Sequence, residues 1–136
     1  MRLAVAPRIL SFILVPMLSC DQQMELLPRP CSCDIEAATL STPSLITYRV
    51  SAGDGADVSS ITYQTNDGQV TAHDPALPFV AAVELKKGQT VALAATGNPG
   101  KGSIVLTYEA QGIHDTSRML SSSISRVWVL KDGICQ

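Results

Sequence analysis

A chain of 136 residues with a formal net charge of −2, 16% charged residues and no basic run has neither the charge nor the aromatic content (4%) of a nucleic-acid binder. Small, hydroxyl and β-branched residues abound, which suits an extracytoplasmic β-rich domain and argues against helices with charged outer faces. The length accommodates one ordinary domain with a buried core beside a leader and a linker.

Arg2 and Arg8 flank a short apolar run, Ile9 to Leu18. Ten helical residues rise only ~15 Å, about half a bilayer's hydrocarbon core, and Pro16 would interrupt them. Residues 1–19 therefore read as a secretory signal peptide that is later removed. At its end, Met17-Leu18-Ser19-Cys20 resembles the bacterial lipobox, in which an apolar, a short and a small residue precede a cysteine. The resemblance implies cleavage between Ser19 and Cys20 and a diacylglycerol on the Cys20 thiol, although that pattern prefers Leu where Met17 stands. The alternative is ordinary cleavage after Ser19 with Cys20 a plain thiol. An acylated cysteine with more than one chain is a firm anchor, so the expected location is the bacterial cell envelope, with the domain facing the periplasm or the cell exterior. Loss of Arg2 and Arg8 with the signal leaves 8 basic against 12 acidic residues, a net charge of −4.

Residues 20–43 carry Pro28, Pro30 and Thr42-Pro43 with no sustained periodicity. They are expected to form an extended, flexible tether, with room for a short helical turn over Cys33 to Leu40. From residue 44 to 136, short β-branched runs recur between turn signals. The expected strands are Leu45–Ser51, Val58–Thr65, Gln69–His73, Phe79–Leu85, Gln89–Thr96, Ser103–Ala110 and Ile124–Lys131. Asn66-Asp67-Gly68 predicts a three-residue hairpin with Gly68 in a bulge, and Gly97 to Gly102 predicts a loop. Seven strands without a long helix predict an all-β fold, an immunoglobulin-like antiparallel β-sandwich. An eighth strand, as a barrel needs, has only Ile113 to Met119 to draw on.

Tyr48-Arg49-Val50, Gly53-Asp54-Gly55, Ile61-Thr62-Tyr63, Asn66-Asp67-Gly68, Leu77-Pro78-Phe79, Lys87-Gly88-Gln89, Val91 to Ala95 and Gly102 to Gly112 follow one another in an order that resembles the MmpS-type accessory domain. That family places a small β-sandwich beside lipid transporters in mycobacteria and other bacteria, and the resemblance spans about residues 44–112. Phe79 stands where the family usually has Trp, no cysteine lies between Ile104 and Tyr108, and the lipobox-like segment replaces a transmembrane anchor. The resemblance implies a non-catalytic accessory or protein-binding module for an envelope transporter, with no catalytic residue carried over.

With Cys20 acylated, Cys31, Cys33 and Cys135 remain, an odd number for an oxidising compartment. Cys31 and Cys33 are too close for a comfortable mutual bridge, which leaves either one open to a bond with Cys135. Cys31-Ser32-Cys33 with Cys135 matches no common zinc spacing, so no metal is expected. His73-Asp74 and His114-Asp115 are adjacent pairs, which on a strand point to opposite faces. Gly53-Asp54-Gly55-Ala56-Asp57 lacks the ligand run of a calcium loop, and Gly97 to Ser103 fails the order of a phosphate loop. Neither a cofactor nor enzymatic activity is expected. Trp128 is assigned to the core unless Val127 and Val129 face inward in its place. The first expectation for function is a lipid-anchored module that contacts another envelope protein. The alternative is a carrier of a lipid or other apolar ligand, held between the sheets where Ala81, Ala82, Ala92, Ala94 and Ala95 leave room.

Overall fold

Period-two alternation of β-branched or aromatic residues with small polar ones commits most of the chain to extended backbone with one face buried. A computed structural model describes residues 30–113 and 121–136, and every regular element among them is a strand. In chain order these are β1 (Cys31–Asp34), β2 (Ala38–Thr39), β3 (Ser44–Gly53), β4 (Asp57–Thr65), β5 (Gly68–His73), β6 (Phe79–Leu85), β7 (Thr90–Val91), β8 (Leu93–Asn98), β9 (Ser103–Gly112), β10 (Ser121–Lys131) and β11 (Ile134–Cys135). Four strands form a sheet in the order β1-β8-β4-β5, five form another in the order β11-β10-β9-β3-β6, and β2 pairs with β7. All pairings are antiparallel.

The core lies between the two larger sheets. Ile46, Tyr48 and Val50 of β3 and Ile104, Leu106 and Tyr108 of β9 come from one sheet. They share a cluster with Ile61 of β4 and Leu93 and Ala95 of β8 from the other. Tyr48 spans the gap: its hydroxyl donates to the Gln64 carbonyl of β4 at 2.9 Å. The rings of Tyr48, Tyr63 and Phe79 follow one another with centroids 5.4 and 5.6 Å apart, linking β3, β4 and β6. Tilted aromatic pairs of this kind add ~0.5–1.5 kcal/mol each beyond their buried area. The result is an all-β, sandwich-like architecture.

The seven strands expected after residue 44 form as β3, β4, β5, β6, the β7–β8 run, β9 and β10. Gly68 has φ 119°, but the expected three-residue bulged hairpin does not form: Thr65 lies opposite Gly68 and Gln64 opposite Gln69 in unbroken register, which leaves Asn66-Asp67 as a two-residue turn.

Three further departures have physical causes. Residues 31–39, expected within the tether, join the sheets instead: Cys31, Cys33 and Ile35 alternate inward and are buried, and β1 pairs with β8. The short helical turn over Cys33 to Leu40 does not form. Burial of three apolar side chains at alternate positions favours extended chain there, and the prolines stand outside the stretch. Gly97 and Asn98, expected in a loop, continue β8 between β1 and β4. A side chain at Gly97 would collide with the Asp57 carbonyl and Val58 Cα, so the missing Cβ is what lets the strands close. Finally, the extra strands come from the two ends of the domain, not from Ile113 to Met119, of which residues 114–119 lie outside the described residues. At the C-terminal end Asp132 (φ 53°) and Gly133 (φ 75°) make a two-residue hairpin that folds β11 back on β10.

Candidate functional site

Ser19 and Cys20, the expected cleavage and lipid-attachment residues, lie outside the described residues. The other three cysteines lie at the lateral opening between the sheets, where β1 edges one sheet and β10–β11 edge the other. Cys31 and Cys135 form a disulfide with Cα atoms 5.8 Å apart, joining the two sheets across a sequence separation of 104. Alternation puts Cys33 on the same buried face as Cys31, where it is a free thiol. Burial pushes that thiol up to about 11, with the Asp34 carboxylate adding to the effect and Arg126 opposing it. A thiol held neutral in this way is a poor nucleophile and a poor metal ligand. Among the described residues no group of His, Cys, Asp and Glu is arranged to hold a metal ion.

β10 supplies the other wall of the opening. Trp128 faces inward and is 8% exposed, whereas Val127 and Val129 face solvent at 54% and 38%. The Arg126 guanidinium lies over the indole, 4.2 Å from the ring centroid, a stacking worth ~0.5–1 kcal/mol at an exposed site. The Trp128 Nε1 donor is buried without a partner among the described residues, and so is the Tyr108 hydroxyl. Burial, and then the negative charge of Glu36, push the Tyr108 phenol above its ordinary range. Tyr108 also lines an open cleft of about 280 Å³, with Leu40, Thr42, Val91, Ala110 and Ser122 around it.

The remaining sequence candidates are scattered. His73 is exposed on β5, and Asp74 turns the chain with φ 47° while its N–H bonds the Ser59 carbonyl at 2.8 Å. His114 and Asp115 lie outside the described residues. Asp54 and Gly55 form the β3–β4 turn, and the Asp57 carboxylate accepts from the Asn98 N–H at 3.1 Å. The five alanines do not line one cavity: Ala95 is buried and Ala81 partly so, while Ala82 is exposed. The space between the sheets is taken by the Tyr48, Tyr63 and Phe79 rings.

The bond to Cys135 was expected from sequence, which left open whether Cys31 or Cys33 makes it, and the β11 hairpin was not foreseen. Asp132-Gly133 between Leu130-Lys131 and Ile134 is the signal that marks the hairpin. No protein-family model, no curated protein and no solved structure matches the chain.

Proposed function

We propose that this chain is an exported, lipid-anchored module of the bacterial cell envelope, with an immunoglobulin-like sandwich that binds another envelope protein and performs no catalysis. The observation that carries the proposal is the Cys31–Cys135 bond, a covalent staple of the kind that forms and persists in oxidising compartments. It agrees with the signal-like residues 1–19 and the lipobox-like Met17-Leu18-Ser19-Cys20. The order of turns and strands over residues 44–112 that resembles the MmpS-type domain supports a transporter subunit as the kind of partner. Exposed Val127, Val129 and Ile134 on β10 and β11 offer apolar surface for contact.

The carrier alternative is supported by one feature, the open cleft that Tyr108 lines with Leu40, Val91 and Ala110. Native mass spectrometry of protein taken from its own membrane distinguishes the two: a retained small molecule favours the carrier.

The deciding experiment is the intact mass of the mature protein from its native membrane. The expected mass is that of residues 20–136 plus acyl groups, less two hydrogens for the disulfide. A lipid-free mass beginning elsewhere would remove the anchor and the transporter analogy together. Crosslinking in the membrane fraction then tests for the partner, and its consistent failure would count against the binding module.

A further inference from the structure

β10 pairs with β9 over Ser121–Val129. On its other side it meets β11 only at Leu130 and Lys131, and Gln136 closes on Val129 through two N–H···O bonds of 2.8 and 3.0 Å. Backbone groups along an antiparallel strand point alternately to its two neighbours. Val129 points to the β11 side, so Val127, Ser125, Ser123 and Ser121 point there as well. Among the described residues none of those outward N–H or C=O groups is paired. Natural edges of this length carry lysine, proline or a bulge against chance pairing. The stretch Ser121–Val127 has none of these, and Arg126 is its one charge. Ile124 and Val127 on this stretch, with Val129 and Ile134 beside it, are four of the seven large apolar residues that stand exposed among the described residues.

We propose that this edge pairs with the same edge of a second copy, antiparallel about a two-fold axis at Ile124, so that two five-stranded sheets become one. Self-complementarity selects the occupant. Ile124 is the midpoint of the free stretch Ser121–Val127. An axis there sets Ser123 opposite Ser125 of the second copy and Ser121 opposite Val127, and every outward backbone group finds a partner. Ile124 meets its own counterpart at a position without backbone bonds, where cross-strand side chains come closest. Arg126 falls opposite Ser122, so no like charges face one another. An axis at Ser125 or at Arg126 would instead press a serine onto Val129, whose outward groups Gln136 already holds. The contact runs through one short stretch of strand per copy, Ser121–Val127, against the roughly 20–30 residues a side of a standard interface. The dimer is therefore weak in dilute solution and favoured where copies are concentrated. The pairing geometry itself does not rest on the lipid anchor.

The test is cysteine crosslinking of the full chain in whole cells. Under mild oxidation Ile124→Cys is expected to give a disulfide-linked dimer as its main product. Val127→Cys and Ser123→Cys, whose counterparts across the axis are serines, are expected to give little. Adding Ser125→Pro to Ile124→Cys should abolish the dimer, because it removes an outward N–H and leaves the bonds to β9 in place. Ser123→Lys provides the same block without a backbone change. Equal dimer from all three cysteine positions, or dimer that persists with both blocking substitutions, overturns the pairing. Crosslinking of Ile124→Cys to a different protein overturns the choice of a second copy.

Discussion

Replacing both members of the staple, Cys31→Ala with Cys135→Ala, should cost a large part of the domain's stability. The bond spans 104 positions. The chain-entropy relation for a loop of that length gives about 4.7 kcal/mol at room temperature, arising in the unfolded chain that the bond restrains. Domains of this size are stable by about 5–15 kcal/mol, so the double variant should lose roughly a third or more of the total. Urea unfolding followed by Trp128 emission measures it, since Trp128 is the single tryptophan and is buried. The denaturant slope should rise, because an unfolded chain without the crosslink exposes more surface. Cys33→Ala is the control: it removes one buried sulfur that takes no part in the bond and should cost about 1 kcal/mol. Coincident unfolding curves for the double variant and the parent would refute the reasoning, as would a larger loss in Cys33→Ala.

Gly97→Ala should destabilise by about 3 kcal/mol in thermal or urea unfolding, because its Cβ meets backbone of β4 that cannot rotate away, whereas Gly53→Ala, with nothing within 4 Å, should change little. Tyr48→Phe should cost about 1–1.5 kcal/mol through loss of the bond to the Gln64 carbonyl. Burial holds Cys33 at about 11 against an ordinary 9.0 and Tyr48 at about 12 against 10.0, so both ionise earlier when unfolded. Stability should therefore be complete below pH 9 and fall as pH rises, from about 9 to 11 for Cys33 and about 10 to 12 for Tyr48, with the second part of the fall smaller in Tyr48→Phe, where the raised Tyr108 still contributes. Deletion of residues 22–24 should leave the Ile124→Cys dimer yield unchanged in membranes, and a sharp drop would mean that the paired copies need the full reach of the tether.

The strands of the domain were legible because each buries one face, and Phe79, Ala81, Val83 and Leu85 show the period without interruption. Gly97 was misplaced because glycine next to Asn98-Pro99 is ordinarily a turn signal, and only the closeness of Asp57 and Val58 reveals why a strand needs it. β1 was hidden for a related reason. Cys31, Cys33 and Ile35 alternate, but the stretch is flanked by Pro30 on one side and a breaker-rich run on the other, and its burial depends on β8, some 60 positions later. The choice of Cys31 over Cys33 as the partner of Cys135 is likewise tertiary, since both point inward and only the placement of β11 separates them.

The anchor and the open edge of β10 constrain one another if both proposals hold. The chain enters the domain at Cys31, which is bonded to Cys135, and Cys135 pairs with Leu130 near the end of β10. Leu130 is six residues from Ile124, or ~20 Å along a strand. In the two-fold pair the two entry points therefore lie ~40 Å apart, at opposite ends of the joined strands. From Cys20 to Cys31 the chain reaches at most ~40 Å when fully extended. If β10 stood upright on the membrane, the far copy would need that whole reach, with its tether stretched to the limit and its conformational freedom lost. Pairing of two anchored copies is therefore favoured with their β10 strands lying close to parallel with the membrane surface. In that orientation each tether needs to cover only its own short distance to the bilayer, and anchoring raises the local concentration of edges that are too small to hold a dimer in dilute solution.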